Sequence, residues 1–490
     1  MPYPAPSPPG VDRHNAAPHW KSVPAIMVSL MSAIVGCATL TPSPATPDAI
    51  EVPATWTSGN ETTAVQATSL AQWWRRFGDP LLVKLIDQAL LANTSVKSSQ
   101  AALQQARALR DVSAAGLRPS LGGSASAQRS RSGDNDAANS YRAGLDASWE
   151  LDLFGANRNA LNASEATLQA SAASLGDVRV SVAAEVALGY IALRTAQARL
   201  AIANDNLASQ LETQQITQWR LQAGLVTSVE AEQARASVEQ TRAQLPTLQT
   251  SIAQNRHALA VLTGQPPAAL STLLATTQPI PQVSDDLALS LPAETLRQRP
   301  DVRAAEHQVA AALARLAQAD AARLPSFKLS GSLGLNALKL SSLTNSASIV
   351  SSVLAGVSWP VFDGGAARAQ VRAQQAALEQ ARAAYQASVL TALKDVEDAL
   401  VALRGDRERL LRLQNAAEAA GNAAQLARLR YNSGLVDFQV VLETQRSQLN
   451  TQDSVASATA EISADHARLY KALGGGWLAD AIEPTRTPRS

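Results

Sequence analysis

The chain has 490 residues, a formal net charge of +1, 46% hydrophobic residues and only 4% aromatic residues. The nearly neutral charge argues against a nucleic-acid-binding protein, because such proteins carry a strongly basic surface. Few aromatic side chains, combined with long stretches of Ala, Leu, Gln and Arg, argue against a string of ordinary globular domains and predict extended helices.

The N-terminal segment predicts export and a lipid anchor. Positive charges precede a mostly apolar run at residues 23–35, which is too short to cross a bilayer and suits the core of a signal peptide. The run leads to Gly36 and then to Cys37, the only cysteine of the chain. This arrangement resembles the bacterial lipobox, and it predicts a signal peptide at 1–36, N-acyl and S-diacylglycerol groups on Cys37, no other cofactor, and an extended Pro/Thr/Ser-rich tether at 37–72. The alternative is an ordinary signal peptide with an incidental cysteine.

The rest of the chain is a tandem duplication. Several landmarks recur with a constant separation of 210 positions: Trp149 and Trp359, Gly155 and Gly365, Gly224 and Gly434, Gly264 and Gly474. Pro119 and Pro325 recur with a separation of 206 positions. A constant offset over such a length indicates two copies of one unit. We assign a first repeat at 73–264, a linker at 265–290, a second repeat at 291–474 and a C-terminal tail at 475–490.

Each repeat contains a predicted β-hairpin, at 119–153 and at 325–362. Apolar and polar residues alternate from Tyr141 to Leu153, and the second repeat repeats this pattern with Val353, Ala355, Val357, Trp359 and Val361. One apolar face over about ten residues is typical of a transmembrane β-strand, and a half-exposed hairpin of a water-soluble protein is the alternative. Four strands cannot close a barrel, so we expect several chains to share one, and three chains give twelve strands.

Helices account for most of the remaining sequence. Apolar spacing predicts a helix over 80–115, and long segments without proline predict helices of about 100 Å at 157–222 and 365–430. Their leucine spacing favours coiled-coil packing. Glycines end both long helices, and shorter helices return at 228–262, where Pro246 is expected to introduce a kink, and at 438–473.

No pattern indicates an enzyme. The sequence has no nucleophile elbow, no metal-ligand spacing and no phosphate-binding loop, so we predict no catalytic residue and no metal site. Gly474, Gly475 and Gly476 are interpreted as a helix end. Asp465 and His466 are interpreted as part of a solvated helix face.

Two motifs and the two Gly-Leu-Val turns resemble a known family. The motifs are Trp73-Trp74-Arg75-Arg76-Phe77-Gly78-Asp79-Pro80 and Leu296-Arg297-Gln298-Arg299-Pro300-Asp301-Val302. They are similar to those of TolC-like outer-membrane factors, in particular the NodT-type lipoprotein branch that serves resistance-nodulation-division pumps. The resemblance implies a mainly α fold with a transmembrane β part. In it, a homotrimer forms a twelve-stranded barrel in the bacterial outer membrane and a twelve-helix coiled-coil tube in the periplasm, girdled by an equatorial belt that includes 265–290 and 475–490.

The same resemblance implies a passive exit duct for drugs or other small toxic compounds. The expected partners are a periplasmic membrane-fusion adaptor, an inner-membrane resistance-nodulation-division transporter and outer-membrane lipid. Ala38, which follows the lipobox cysteine, is not the Asp that retains lipoproteins in the inner membrane. Two alternatives remain open, namely the outer-membrane component of type I protein secretion and a periplasmic coiled-coil structural lipoprotein.

Two sets of residues are candidate functional sites at the periplasmic tip. The turns are expected to expose apolar residues that dock the adaptor, and the alternative is a capped turn with incidental apolar residues: Gly224, Leu225, Val226, Gly434, Leu435 and Val436. The resemblance also implies a gate in the helix after the second turn, with Glu443 in an acidic ring and Gln439 in place of the usual apolar residue. Asp437 and Arg430 are candidates for ion pairs that latch the closed state. The alternative is that Glu443, Asp437 and Arg430 are all solvated charges on helix surfaces.

Overall fold

A computed structural model describes residues 70–131, 133, 136–283, 296 and 298–477. Several segments named above therefore lie wholly or partly outside the described residues: the signal peptide at 1–36, Cys37, the tether up to residue 69, the end of the linker from 284 onward and the tail from 478 onward.

The described residues form seven α-helices and four β-strands, and the order from α2 to α4 in the first repeat recurs from α5 to α7 in the second. The first repeat contains α1 (Pro80–Ala92), α2 (Thr94–Ala115), β1 (Ser120–Ser130), β2 (Ala138–Leu151), α3 (Ala156–Gln222) and α4 (Ser228–Leu262). The second contains α5 (Pro300–Ala321), β3 (Ser326–Ala337), β4 (Ile349–Ser358), α6 (Ala366–Asn432) and α7 (Phe438–Ala472). None of the helices in the described part of the chain is long and apolar enough to cross a membrane.

The four strands form one antiparallel sheet in the order β1-β2-β3-β4. The two hairpins are joined by β2 and β3, which pair from Tyr141 opposite Ala337 to Leu151 opposite Phe327. The second hairpin is shorter than the alternation predicts, because β4 ends at Ser358 and leaves Trp359 and Val361 outside the strand. Pro360 has no backbone N–H to continue the ladder, which accounts for this end.

The first helical segment is divided in two, and the prediction of one helix over 80–115 is wrong. Asn93 ends α1 and caps α2, because its Oδ1 accepts hydrogen bonds from the N–H groups of Ser95 and Val96 at 2.8 and 3.3 Å. Its Nδ2 donates to the carbonyl of Leu262 at 2.9 Å. The break therefore attaches the start of the first repeat to the end of the same repeat.

The long helices α3 and α6 each contain 67 residues, or about 100 Å of helix. Each starts beside the sheet and ends at a turn that leads into a helix of 35 residues. The return helix α4 continues through Pro246, so the proline does not end it. Next to the sheet the helices lie in the order α2-α3-α5-α6, and toward the turns in the order α4-α3-α7-α6. Each of the four strands is thus connected to one of the four helices next to the sheet, and strands and helices lie side by side in the same order.

The largest apolar core lies midway along the long helices, and we call it the equatorial core. Trp73 stacks on Tyr470 with 5.1 Å between ring centroids, and Trp74 packs edge-on against Trp73 at 5.8 Å. A buried polar chain crosses this core, in which Tyr190 Oη donates to Asp79 at 2.6 Å and Arg194 donates to Tyr190 Oη at 2.8 Å. Because Asp79 also caps α1, the core fixes the first motif against the middle of α3.

Candidate functional site

The sheet has one polar and one apolar face. In one row Gly122, Asp146, Ser332 and Ser352 lie opposite one another, and in the next row Leu121, Ala147, Gly331 and Val353 do so. On the polar face Ser124 Oγ donates to Asp146 at 3.0 Å, and the hydroxyls of Ser332 and Ser352 lie 2.7 Å apart. On the apolar face the side chain of Val353 is 83% exposed. Such a sheet suits a wall between lipid and water.

Next to the sheet, a cavity of about 730 Å³ is lined by residues from α2, α3, α5 and α6. We call it the helical cavity. Its lining consists of small or neutral polar side chains, one large apolar residue, Leu109, and one charged residue, Arg315. The lining residues are Ala102, Gln105, Ala106, Leu109, Ser113, Ala160, Ala163, Ser164, Thr167, Ser171, Arg315, Gln318, Ala319, Ala322, Gln370 and Gln374. This surface was not predictable from the sequence, because no local pattern shows which faces of four separate helices meet.

At the far ends of the long helices, both predicted turns have the same geometry. Gly224 and Gly434 adopt left-handed backbone angles, with φ of 69° and 74°. The N–H of Leu225 donates to the carbonyl of Arg220, and that of Leu435 to the carbonyl of Arg430, both at 2.8 Å. This is the Schellman helix end that glycine at this position predicts.

The two turns lie side by side, joined by Arg220. Its guanidinium stacks on the ring of Tyr431 at 4.4 Å and donates to the Tyr431 carbonyl at 2.9 Å. Tyr431 in turn packs against Phe438, with 5.4 Å between centroids. This contact was not among the predicted features of the tip. Comparison of the repeats carried a signal for it, because Leu221 and Ser228 occupy the equivalent positions in the first repeat.

The apolar residues of the turns differ in exposure. Leu225 is 70% exposed and Leu435 is 73% exposed, as expected of a docking surface. The valines are partly covered, and Val436 packs on a small core beneath the second turn: Ala234, Ala427, Tyr431, Phe438, Val441 and Leu442. Among the predicted turn residues, the two leucines are therefore the most exposed, and Trp219 and Val229 beside the first turn add further exposed apolar surface at 60 and 61%.

The predicted gate residues are all exposed within one chain. Gln439 and Glu443 lie one helical turn apart on α7, on the face opposite the buried Phe438, Val441 and Leu442. Within the described part of a single chain, Arg430 and Asp437 form no salt bridge. Their pairing stays a prediction that concerns contacts between copies.

A second cavity, of about 450 Å³, lies beside the equatorial core and is strongly charged. Arg299 of the second motif donates to Asp301 at 2.7 Å, to Asp395 at 3.3 Å and to the carbonyl of Ala472 at 2.8 Å. The pKa of Asp177, which lines the same cavity, is raised by burial and then by the charge of Asp301. No cluster of three described His, Cys, Asp or Glu residues suits a metal ion.

The interpretation of Asp465 and His466 as a solvated helix face is wrong. Both residues are buried, at 1% and 5% exposure, because this face of α7 packs into the protein. Burial raises the pKa of Asp465 to about 6, and the carboxylate of Asp406 adds to this increase, while the charge of Arg468 opposes it. Arg468 donates to Asp465 at 2.7 Å, which keeps the buried carboxyl partnered.

Comparisons with known proteins place this architecture in a family. The family model described as "Outer membrane efflux protein" matches residues 85–265 and 291–475, one segment in each repeat. The pyoverdine export outer membrane protein OpmQ of Pseudomonas putida is 34% identical over 475 residues, which cover 94% of this chain and 98% of the relative. The toluene efflux pump outer membrane protein TtgI of Pseudomonas putida is 32% identical and covers 84% of this chain and 88% of its own length.

A solved structure shows the same fold. The outer-membrane channel OprN is 36% identical, superposes with a TM-score of 0.80, and the match covers 88% of this chain and 99% of that channel. The TolC-like resemblance seen in the sequence is confirmed, as is the fold class of helical tube and β part. The chain therefore belongs to the outer membrane efflux protein family, whose members are channels and not enzymes.

Proposed function

We propose that this protein is the passive outer-membrane duct of a tripartite efflux system and works as a homotrimer. The observation that carries the proposal is the continuity of four strands with four helices in matching order. The outer strands β1 and β4 each have an unpaired edge within the described chain. A membrane tolerates no open sheet edge, so neighbouring copies must pair with both edges, and three copies supply twelve strands and twelve helices.

The faces of the sheet support the orientation of this duct. The apolar face, with Leu121, Leu333 and Val353 exposed at 70, 58 and 83%, faces lipid. The polar face then lines the lumen, and the helices extend the lumen by about 100 Å into the periplasm. Transport energy comes from an inner-membrane resistance-nodulation-division transporter, linked to the duct by a periplasmic adaptor that docks on Leu225 and Leu435. The relatives named for toluene efflux and pyoverdine export support small compounds as the cargo.

Two further features belong to the same proposal. Acyl groups on Cys37, outside the described residues, anchor the N-terminus in the outer membrane and strengthen the membrane attachment that the barrel provides. At the tip, Glu443 and Gln439 of three copies approach the axis and narrow the lumen, with Asp437 and Arg430 pairing between copies in the closed state. The exposure of all four side chains in the isolated chain supports this arrangement.

The test of the proposed function is conductance of the purified protein in a planar lipid bilayer, together with its mass in detergent. We expect discrete ion-conducting steps and the mass of three chains. The protein should also restore resistance to a small toxic compound in a host that lacks its own duct but retains the matching transporter and adaptor. Neither conductance nor restored resistance from a protein correctly placed in the outer membrane would refute the proposal.

A further inference from the structure

The helical cavity is a concave wall shared by four helices, unlike a pocket between two. Its lining residues come from α2, α3, α5 and α6, which lie side by side in that order. One cavity that touches all four requires the layer of helices to curve around it. When copies of a curved layer close into a tube, the concave side faces the lumen. The lining of this cavity is therefore the inner wall of the duct next to the barrel.

The duplication supports this assignment independently. Four pairs of equivalent residues line the cavity, separated by 206 positions between α2 and α5 and by 210 positions between α3 and α6: Leu109 and Arg315, Ser113 and Ala319, Ala160 and Gln370, Ser164 and Gln374. A groove that arises only from irregular packing has no reason to use the same positions of both repeats. A common inner wall explains the equivalent positions, because equivalent helices of a tube present the same face to its axis.

Arg315 is the single charged residue among those that line this wall. Its guanidinium is exposed and donates to Thr167 Oγ1 at 3.2 Å. No carboxylate of the described chain pairs with it. The polar face of the sheet, by contrast, carries both signs in equal number: Arg142, Lys328, Asp146 and Glu150. Among the lining of the helical cavity and the paired residues of the polar sheet face, the uncompensated charge is therefore that of Arg315.

We infer that Arg315 of three copies forms a cationic ring in the lumen, and that this ring favours small anionic solutes that carry a carboxylate, sulfonate or phosphate group. The inference rests on the proposed function, because it needs the trimeric duct. A guanidinium keeps its charge at any physiological pH and binds such groups with two parallel hydrogen bonds. The neutral amide and hydroxyl neighbours leave its field unopposed, while its exposure to water keeps the binding weak enough for release.

The experiment measures the reversal potential of single channels in a gradient of potassium chloride at low ionic strength, where charge in the lumen is least screened. Arg315→Gln, which matches the surrounding glutamines, should lower the ratio of chloride to potassium permeability by about twofold, and Arg315→Glu should lower it further. Arg315→Lys keeps the charge and should retain most of the wild-type ratio. A naphthalene trisulfonate added to one side should reduce the wild-type current more than that of Arg315→Gln.

The matched control is Arg323→Gln in the turn that follows the same helix, because this guanidinium is already paired with Asp320 at 2.7 Å and lies outside the lining. It should leave the permeability ratio unchanged. Conducting channels whose ratio is the same in wild type, Arg315→Gln and Arg315→Glu would overturn the ring, and so would an equal shift in the control. A wild-type protein that does not conduct at all would instead contradict the proposed function.

Discussion

The carboxyl group of Asp465 has surroundings that its sequence neighbours do not indicate. It lies among Glu461, His466 and Arg468, a set of charged residues typical of a solvated helix face. The folded chain nevertheless leaves it 1% exposed and brings Asp406 of α6 close enough to raise its pKa. Sequence reasoning failed here because the partner helix, and not the local pattern, decides the burial of a short polar residue.

This burial predicts a stability that depends on pH. The pKa of Asp465 increases from the ordinary 3.8 to about 6, so the folded protein binds this proton more tightly than the unfolded chain. The contribution of the protonated Asp465 to the free energy of unfolding is fully present below pH 4 and is lost as the pH rises through 6. Asp465→Asn resembles the protonated state and should stabilise the protein at pH 7.5 by on the order of 1–2 kcal/mol.

Thermal unfolding of the purified protein between pH 4 and 8 measures this effect. The variant should show a smaller change of melting temperature between pH 5 and 7.5 than the wild type. Asp320→Asn, at an exposed position on α5, is the control for removal of a carboxylate alone. An equal pH dependence in wild type and Asp465→Asn would contradict the prediction.

Gly176 permits a close contact that a helix propensity scale does not foresee. A Cβ atom at this position would lie 2.6 Å from Nε1 of Trp477, whose ring is also stacked beneath Arg303 at 5.5 Å. Gly176→Ala should therefore displace the tryptophan and destabilise the protein by about 1–3 kcal/mol. Gly405→Ala in α6 meets nothing within 4 Å and should instead stabilise by up to about 1 kcal/mol.

Thermal unfolding, followed by tryptophan fluorescence, compares the two glycine variants. The Gly176 variant should unfold at a lower temperature and show an altered emission of the folded state. If both alanine variants stabilised the protein equally, the ring of Trp477 would not be fixed against α3 in the assembled protein.

At the scale of elements, the turns combine a rigid backbone with exposed leucines. The two Schellman ends hold Leu225 and Leu435 outward at 70 and 73% exposure, and the long helices place them about 100 Å from the sheet. We expect Leu225→Glu together with Leu435→Glu to abolish export while trimer yield and bilayer conductance remain normal, because charge disrupts an apolar docking surface.

The drug resistance of cells that carry the double variant measures this effect, with channel quantity checked in outer-membrane fractions. Leu91→Glu, at an 80% exposed leucine of α1, is the control and should export normally. Normal export by the double variant would show that the adaptor docks elsewhere.

The contact between Arg220 and Tyr431 connects the two helical hairpins at the tip, which makes it a candidate restraint on opening. It combines a cation–π contact at 4.4 Å with a hydrogen bond of 2.9 Å. Such a pair contributes about 1–3 kcal/mol. Arg220→Ala should loosen α6 and α7 from α3 and α4 and increase the basal conductance of single channels severalfold.

The matched variant Arg235→Ala removes an exposed arginine of α4 whose salt bridge within the described residues is with Glu232, three residues earlier on the same helix. Its conductance should equal that of the wild type. A closed-state conductance that Arg220→Ala leaves unchanged would show that the hairpins separate at other contacts, such as the predicted pairs of Arg430 and Asp437 between copies.

The positions of helices and strands were predictable wherever a helical or an alternating pattern of apolar residues runs without interruption. The long helices and both hairpins agree with the sequence to within a few residues, because alternation and proline-free heptads are local signals. The break at Asn93 carried a local signal that the apolar spacing outweighed, because Asn is a preferred N-cap residue and caps α2 through Ser95 and Val96. Its hydrogen bond to the carbonyl of Leu262, far away in sequence, was not predictable. The register of β2 on β3, which joins the two repeats, was not predictable either. Nor was the role of Arg315, which depends on the uncharged residues that three other helices contribute to the lining of the helical cavity.

At the scale of the whole molecule, the duplication gives each chain a sheet and a helical layer that need neighbouring copies to be complete. The sheet ends in unpaired edges on β1 and β4, and the helical layer ends in α2 and α6 next to the sheet. Both layers stop on the same two sides, so a neighbouring copy must cover strand and helix together. This coupling predicts that barrel and tube assemble in one step, and that the number of strands around the barrel equals the number of helices around the tube.

The pairing of β1 with β4 of a neighbouring copy is testable by cross-linking. Ser124→Cys in β1 and Ser352→Cys in β4 place thiols on the polar face of the two edge strands. Adjacent strands lie about 4.8 Å apart, so a short flexible bis-maleimide should join them across the boundary even if the register is offset by two residues. Denaturing gels should show bands of two and three chains and none larger, since a closed ring of three leaves no free edge.

Each variant with only one of the two introduced cysteines is the control and should remain monomeric on the same gel, because equivalent introduced thiols of neighbouring copies lie a full chain width apart around the barrel. Ser148→Cys, on the central strand β2, paired with Ser352→Cys should also give far less product. Absence of product from the edge pair would contradict edge-to-edge closure, and a band of four chains would contradict the trimer. A series of cross-linked bands that ends at three chains indicates a closed twelve-stranded barrel, because an open sheet would continue to add copies and give larger bands.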